Sequence, residues 1–488
     1  MYLGLDLGTS ELKALLLADD HGVVGVAHAS VAVERPRPLW SEQAPAAWAE
    51  ALHTVMEALR ARHPDAMRSV RAIGLSGQMH GAVLLGDGDE VLRPAILWND
   101  GRSSAQCEAL NRAVPQLAQI TGNLAMPGFT APKLLWVREH EPDIFARTRR
   151  VLLPKDWLRL QMSGEAVSDM SDASGTLWLD VARRDWSDEM LASTGLTRAH
   201  MPRLVEGSEV AARLLPELAA RWGMPPDVRI AGGGGDNAAS AVGMGLVAPG
   251  QGFVSLGTSG VIFVCTPGFA PHPARAVHAF CHALPGSWHQ MSVMLSASSA
   301  IDWAVRTVGF SDVQALFGAA SSLDAQARAS APLFLPYLSG ERSPHNNAHA
   351  QGVLFGLTQA HSRADIAYAV AEGVGYGLRD GLATLTRPDP GAALSLVGGG
   401  ARSLWWSQLL ADVLQTPLVL GVGGESGGAL GAARLGWLSD GGSLAQVCSQ
   451  PQARQRFEPD AAAAETHGQR FARFQAIYGA LRPLFPQG

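Results

Sequence analysis

Two short stretches hold the residues best suited to chemistry. Asp6-Leu7-Gly8-Thr9-Ser10 lies between apolar, strand-like runs within residues 2–18, and Ser255-Leu256-Gly257-Thr258-Ser259-Gly260 lies in the same setting within 252–265. Glycine permits positive φ and leaves the backbone bare, so a phosphate can approach the amides. Thr and Ser add hydroxyl donors, and a nest of N–H groups at a strand end binds anions. Only the first copy carries a carboxylate, Asp6, where the second has Ser255. A carboxylate beside phosphates suits hydrated Mg²⁺, which takes few protein ligands. One copy alone reads as an ordinary hairpin; the pair, with one Asp, reads as a nucleotide cleft. The second copy starts near the midpoint of 488 residues, the mark of a duplicated domain.

A third stretch follows an apolar strand at 228–231: four glycines, then Asp236-Asn237, then a helix from Ala238. A helix N-terminus favours an anion, so Asp236 is expected to stay ionised and able to accept a proton. In phosphoryl transfer an Asp takes the proton of the attacking hydroxyl. Asp is also a common helix N-cap, so a base and a cap both stand as readings of Asp236. The strand at 394–397 ends in Gly398-Gly399-Gly400-Ala401-Arg402, a nucleotide cradle or a plain strand-to-helix turn. His80, in Gly77-Gln78-Met79-His80-Gly81, follows a strand at 71–75, where α/β proteins place ligands. Met79 reads more readily as core. Lys13 either reaches a phosphate or is a solvated strand residue. Leu97-Trp98-Asn99-Asp100-Gly101-Arg102 is a dense polar cluster beside a Trp.

The elements around these residues alternate between strand and helix. A third strand spans 22–33, and a helix after Pro45 places Trp48, Leu52, Val55, Met56 and Leu59 on one face. Helices are expected after Pro154, over 366–385 and over 427–438, with a packing helix in the tail carrying Phe471, Phe474, Ile477, Tyr478 and Leu481. Residues 122–178 lack the repeat pattern and read as insertions on the first domain. The small, acidic run at 168–178, with Asp169 and Asp172, belongs to them. Strand-hairpin, helix, strand is an α/β pattern, and the domain boundary falls near Ala248-Pro249-Gly250.

Composition narrows the classes. Hydrophobic content is 47% and charged content 17%, normal for a globular protein. A formal net charge of −6 argues against nucleic acid as a partner. No apolar run reaches the length of a membrane span, and Asp6, Glu11 and Lys13 make the first residues unlike a signal peptide. Cys107, Cys265, Cys281 and Cys448 are scattered without a CxxC pair, which supports neither zinc nor a disulfide framework; the cytoplasm is the default. There is no P-loop lysine motif and no Gly-x-Gly-x-x-Gly after the first strand. Gly424-Glu425-Ser426-Gly427-Gly428 matches Gly-x-Ser-x-Gly without the strand-elbow-helix setting that motif needs.

Together, the two Leu-Gly-Thr-Ser hairpins, Gly-Gly-Gly-Asp-Asn and Gly-Gly-Gly-Ala-Arg resemble the FGGY family of carbohydrate kinases, within the actin, hexokinase and Hsp70 superfamily. The likeness runs from Tyr2 to about Leu438. Within the family, Leu39-Trp40-Ser41-Glu42-Gln43, Gly77-Gln78-Met79-His80-Gly81, Ile96 to Arg102 and Leu335 to Arg342 are most similar to the bacterial xylulokinases. The resemblance implies an α/β fold of two duplicated actin-like (ribonuclease H-like) domains with an interdomain cleft. Residues 1–247 would bind the sugar and carry the catalytic Asp, and 248–488 would bind ATP. It implies Asp236 as general base and Asp6 as the Mg²⁺ holder. Met79, His80, Trp98, Asp236 and Asn237 would line the sugar site. Gly257, Thr258, Gly399, Gly400 and Ala401 would bind ATP, with Thr9, Ser10 and Lys13 near its phosphates. The cofactors implied are ATP and Mg²⁺, the partner is D-xylulose, and neither nucleic acid nor membrane is involved; a homodimer stays open. The sequence departs from the family at Glu425-Ser426, where a more acidic form is common. Two alternatives remain: a kinase of another ketose or polyol such as ribulose or glycerol, and an actin-like ATPase indifferent to sugars.

Overall fold

Apolar runs joined by tight glycine-containing turns fold as hairpins, and two such hairpins seed two sheets. The computed structural model describes residues 1–421 and 427–486. In the first half, β1 (Tyr2–Leu7), β2 (Glu11–Leu17) and β3 (Val23–Ser30) form an antiparallel meander. The third strand stops before the loop at 31–38, where Pro36 and Pro38 cannot donate to a ladder. Helix α1 (Pro45–Arg62) buries Trp48, Leu52, Val55, Met56 and Leu59, the face its spacing predicts. The chain then enters β4 (Ala72–Gly77), parallel to β1. A long excursion follows, including α2 (Pro154–Ser163) and α3 (Met170–Ser174). Strands β5 (Val210–Arg213), β6 (Arg229–Ala231) and the two-residue β7 (Gly234–Gly235) then complete the sheet. Its order is β5-β6-β4-β1-β2-β3, with β7 also paired to β4. Helix α4 (Asp236–Gly243) leaves from β7.

The second half repeats the plan. Strands β8 (Gly252–Leu256), β9 (Gly260–Thr266), β10 (His278–Cys281) and β11 (Trp288–Met294) are antiparallel. Helices α5 (Ser298–Val308) and α6 (Arg363–Leu382) lead to β12 (Leu394–Val397), parallel to β8. Then come α7 (Leu404–Leu414), β13 (Leu418–Gly421), α8 (Gly427–Ser439), β14 (Ala453–Phe457) and α9 (Ala464–Leu481). The sheet order is β10-β11-β9-β8-β12-β13-β14. In both sheets a three-stranded antiparallel run (β3-β2-β1, β11-β9-β8) continues into two parallel strands and an antiparallel edge. The domains are duplicated and actin-like, as the resemblance implies. Each sheet has its own apolar core. Tail residues Phe474, Ile477 and Tyr478 are buried in the second.

One helix crosses between the halves. Although α8 follows the second sheet in sequence, it packs on β1 and β4 of the first sheet and against α4. Its small residues explain the approach: a Cβ at Gly431 would stand 1.7 Å from the Ala239 carbonyl oxygen of α4. Thus α4 leads out of the first sheet beside the helix that returns from the second, and both start at the mouth of the cleft. No helix among the described residues is long and apolar enough to cross a membrane.

Candidate active site

Strand ends deliver the polar residues. Asp6 lies near the end of β1, next to Ser76 on the parallel β4 and opposite Lys13 on β2. Gly428, at the start of α8, presses on it: a Cβ there would come within 2.4 Å of the Asp6 carboxylate. Burial raises the Asp6 pKa above the ordinary carboxylate value, while Ser76 and the charge of Lys13 pull it back.

Asp236 is the first residue of α4, and Gly235 is the cap position. The Asp236 carboxylate caps no helix N–H further along. Its Oδ1 accepts the Asn237 backbone N–H (2.7 Å) and the Asn237 Nδ2 (2.9 Å). The N-cap reading therefore fails, and the other carboxylate oxygen is left to the cavity. Burial, then the negative charge of Asp6, push the Asp236 pKa up to about 6, against the two Asn237 bonds. The helix terminus does not outweigh these effects, yet Asp236 is ionised at neutral pH. Two buried carboxylates with raised pKa values, one of them raised in part by the charge of the other, make a fitting place for a divalent cation.

Three cavities run in series through this region. The first, about 270 Å³, is lined by Met79, His80, Trp98, Asp236 and Asn237, together with Phe129, His278, Phe280 and Arg342. The second, about 540 Å³, shares Asn237 with the first and adds Lys13, Ser255, Gly399, Arg402 and Gly428. The third, about 620 Å³, shares Gly399 and Arg402 with the second and adds Gly257, Thr258, Gly400, Asp302, Phe317 and Trp406. A largely apolar pocket with a few convergent polar groups, a glycine-rich middle and a second pocket with aromatic walls thus lie end to end, with Asn237 shared at the first junction and Asp236 next to it.

The first cavity has one tautomer fixed by geometry. His80 Nδ1 is 2.7 Å from the Gly175 carbonyl oxygen, which can only accept, so Nδ1 carries the proton. Burial, with the charges of Lys133 and Arg342, pushes the His80 pKa down to about 3, against the Gly175 bond. The ring is neutral, and its Nε2 offers a lone pair to a hydroxyl. Across the cavity, Asn123 Nδ2 donates to the Thr121 and Ala279 carbonyls, so its Oδ1 accepts from His278 Nδ1 (2.8 Å). His278 Nε2 then faces Arg342 Nη1 at 3.4 Å. Arg342 brings fixed N–H donors, and the aromatic ring of Trp98, 45% exposed, stands at the rim.

The remaining candidate residues divide. The Thr9 hydroxyl accepts from Trp98 Nε1 (2.9 Å) and donates to Gln78 Oε1 (3.3 Å), while Gln43 holds the Thr9 carbonyl (2.6 Å). Thr9, Ser10 and Asp6 do not line the three cavities, whereas Lys13 does. Ala401 is buried beneath Gly399 and Gly400 and lines none of them. Asp100 and Arg102 form a buried pair, with Glu42 also on Arg102 and Trp40 stacked over its guanidinium at 3.6 Å. This part of the polar cluster braces the loop carrying Trp98. Glu425 and Ser426 lie outside the described residues. Sequence reasoning missed Phe129, His278, Phe280, Asp302, Phe317 and Trp406. They come from distant elements, and only Arg342, inside the Leu335–Arg342 stretch, carried a signal.

Comparison with known proteins decides the family. Residues 1–243 match the family profile described as the FGGY family of carbohydrate kinases, N-terminal domain, and 252–439 match its C-terminal domain. The chain belongs to the FGGY family of carbohydrate kinases. Among curated relatives of this FGGY kinase, the xylulose kinase of Escherichia coli (strain K12) is 52% identical over 99% of this chain and all of its own. That of Bacillus subtilis (strain 168) is 33% identical over 99% and 96%. Among solved structures, a xylulose kinase from Rhodospirillum rubrum superposes with a TM-score of 0.91 at 27% identity, over 99% of both chains. A gluconate kinase from Lactobacillus acidophilus reaches the same TM-score at 25% identity, over 98% and 97%. Overall shape therefore does not choose the sugar; the pocket does.

Proposed function

We propose that this FGGY kinase transfers the γ-phosphate of ATP to the 5-hydroxyl of D-xylulose, giving D-xylulose 5-phosphate and ADP. The observation that carries the reading is the run of three cavities with Asp236 and Asn237 where the first opens on the second. In it, residues 1–247 supply the general base and one wall of the sugar side, His278, Phe280 and Arg342 from 248–488 supply the facing wall, and 248–488 supply most of the nucleotide side. The 52% identity over the full chain to a xylulose kinase supports the ketose. Four buried thiols, all free, agree with a cytoplasmic enzyme.

D-Xylulose binds in the 270 Å³ cavity with its 5-hydroxyl toward Asp236. The neutral His80 Nε2 accepts from one hydroxyl, and Arg342 donates to another oxygen. The ATP phosphates lie in the middle cavity beside Lys13, and the adenine lies in the third, near Thr258, Gly399 and Gly400. Thr9 and Ser10 steady the first turn. The Asp236 carboxylate accepts the proton of the 5-hydroxyl while that oxygen bonds to the γ-phosphorus; the bond to the leaving oxygen breaks, and its electron pair departs with ADP. Asp6 would hold Mg²⁺ through water, and the bound ion neutralises charge on the phosphates. Catalysis is then mostly positioning and electrostatics.

The test is ADP release from MgATP with D-xylulose, D-ribulose, L-ribulose, L-xylulose and glycerol. The expected result is strong turnover on D-xylulose alone. Preference for another polyol keeps the chemistry and rejects the substrate, and release indifferent to every sugar rejects the kinase reading.

A further inference from the structure

Beneath the sugar cavity lies a fully buried ionic cluster that the proposed chemistry does not use. Lys155 Nζ is 2.6 Å from Asp156, 2.7 Å from Asp169 and 3.0 Å from Asp172. All four are 0% exposed, as is Arg159, which also pairs with Asp156. The three carboxylates are close enough together to hold a metal ion, but the Lys155 ammonium already lies between them. Burying five ionisable groups is costly. Such a cluster needs something to hold in place.

What it holds is α3. Asp169 caps that helix, taking the Ser171 N–H (2.8 Å) and the Asp172 N–H (3.3 Å). From there, bonds reach three walls of the sugar site. The Ser171 hydroxyl donates to Asp169 and accepts the Gly235 N–H at 3.0 Å, one residue before Asp236. The Ser174 hydroxyl accepts the Cys281 N–H at 3.1 Å, next to Phe280 on β10 of the second sheet. The Gly175 carbonyl accepts from His80 Nδ1. Arg159 donates to the Gly232 carbonyl, at the other end of the four-glycine run. A glycine run has no side chains to fix its path, so the backbone bonds of Gly232 and Gly233, the pairing of β7 with β4 and these two side-chain bonds, at Gly232 and Gly235, together set where Asp236 points.

We propose that Ser171, held by Asp169 and Lys155, is a positioning residue that fixes the backbone of Gly235 and so the aim of the Asp236 carboxylate at the sugar hydroxyl. The assignment rests on the reading of Asp236 as general base. It separates two effects: loss of the Ser171 oxygen loosens the base without touching the nucleotide cavities.

The experiment compares steady-state kinetics of Ser171→Ala, Asp236→Asn and the parent, with thermal midpoints for each. Ser171→Ala is expected to lower kcat on D-xylulose about tenfold to a hundredfold, while KM for MgATP stays within about twofold and the midpoint stays within a few degrees. If the alanine variant does not fold, Ser171→Cys, alike in shape and slightly larger but a far weaker acceptor, is held to the same result. A folded variant with parental kcat, or one whose KM for MgATP rises as much as kcat falls, overturns the positioning role. Asp236→Asn keeps the outcomes apart. If it is inactive while Ser171→Ala is normal, only the positioning role falls; if it is active, the base assignment falls first.

Discussion

The two Leu-Gly-Thr-Ser hairpins share strand pairing and place in their sheets, yet they carry different loads. In the first, the hydroxyl and carbonyl of Thr9 are tied to Trp98, Gln78 and Gln43, and the one carboxylate, Asp6, sits three residues back on β1. In the second, Gly257 and Thr258 line the 620 Å³ cavity directly. The Thr258 carbonyl accepts from Ala297 N–H (3.0 Å) and Ser299 Oγ (2.9 Å), anchoring the start of α5. Duplication thus supplied two anion-ready turns. On the proposed reading, a single carboxylate on the first and open glycines on the second divide the labour between metal and nucleotide.

Making the turns alike should break the division. Asp6→Ser gives the first hairpin the residue that the second has at this position. We expect kcat to fall by roughly 10²–10³, the scale of losing one preorganised charge contact, with the apparent affinity for Mg²⁺ weakened in an activity titration. A parental Mg²⁺ titration would mean that the metal is held elsewhere. The reverse change, Ser255→Asp, puts a like charge beside the phosphates. It should raise KM for MgATP about tenfold, ~1.4 kcal/mol, and leave KM for D-xylulose unchanged; a shift in both would show that the middle cavity is not the phosphate site. Trp98→Phe removes the bond to Thr9, worth about 0.5–1.5 kcal/mol, and trims the ring at the rim of the sugar cavity. It should raise KM for D-xylulose a few-fold with little change in kcat. An equal effect on MgATP would place the first turn on the nucleotide side.

How much of this was legible in the sequence depends on distance along the chain. The hairpins, the glycine runs and the faces of α1 and α9 were readable because period and turn chemistry act over a few residues. The crossing of α8 onto the first sheet was not, since small residues at 427–439 state a close approach without naming the partner. The motif stretches 39–43, 77–81 and 97–102 stand apart in the sequence. The structure brings them together, with Gln43 on the Thr9 carbonyl, Gln78 and Trp98 on its hydroxyl, and Asp100 on Ser41. His278 and Phe280 were invisible as site residues because nothing local distinguishes them from core. Asp236 is ionised at neutral pH, as expected from its place at a helix terminus, but burial and the neighbouring Asp6, which push its pKa up to about 6, are not visible in the local sequence.

The most direct test of the central claim is the pH dependence of kcat/KM for D-xylulose, measured for the parent and for Asp236→Asn. The base must be ionised, so kcat/KM should fall as pH drops through about 6, the pKa of Asp236 in the free protein. Asp236→Asn should still bind D-xylulose by calorimetry while losing roughly 10²–10⁴ in turnover. An asparagine variant that keeps a tenth of the parental rate, with the acidic limb still in place, would contradict the assignment of Asp236 as the base.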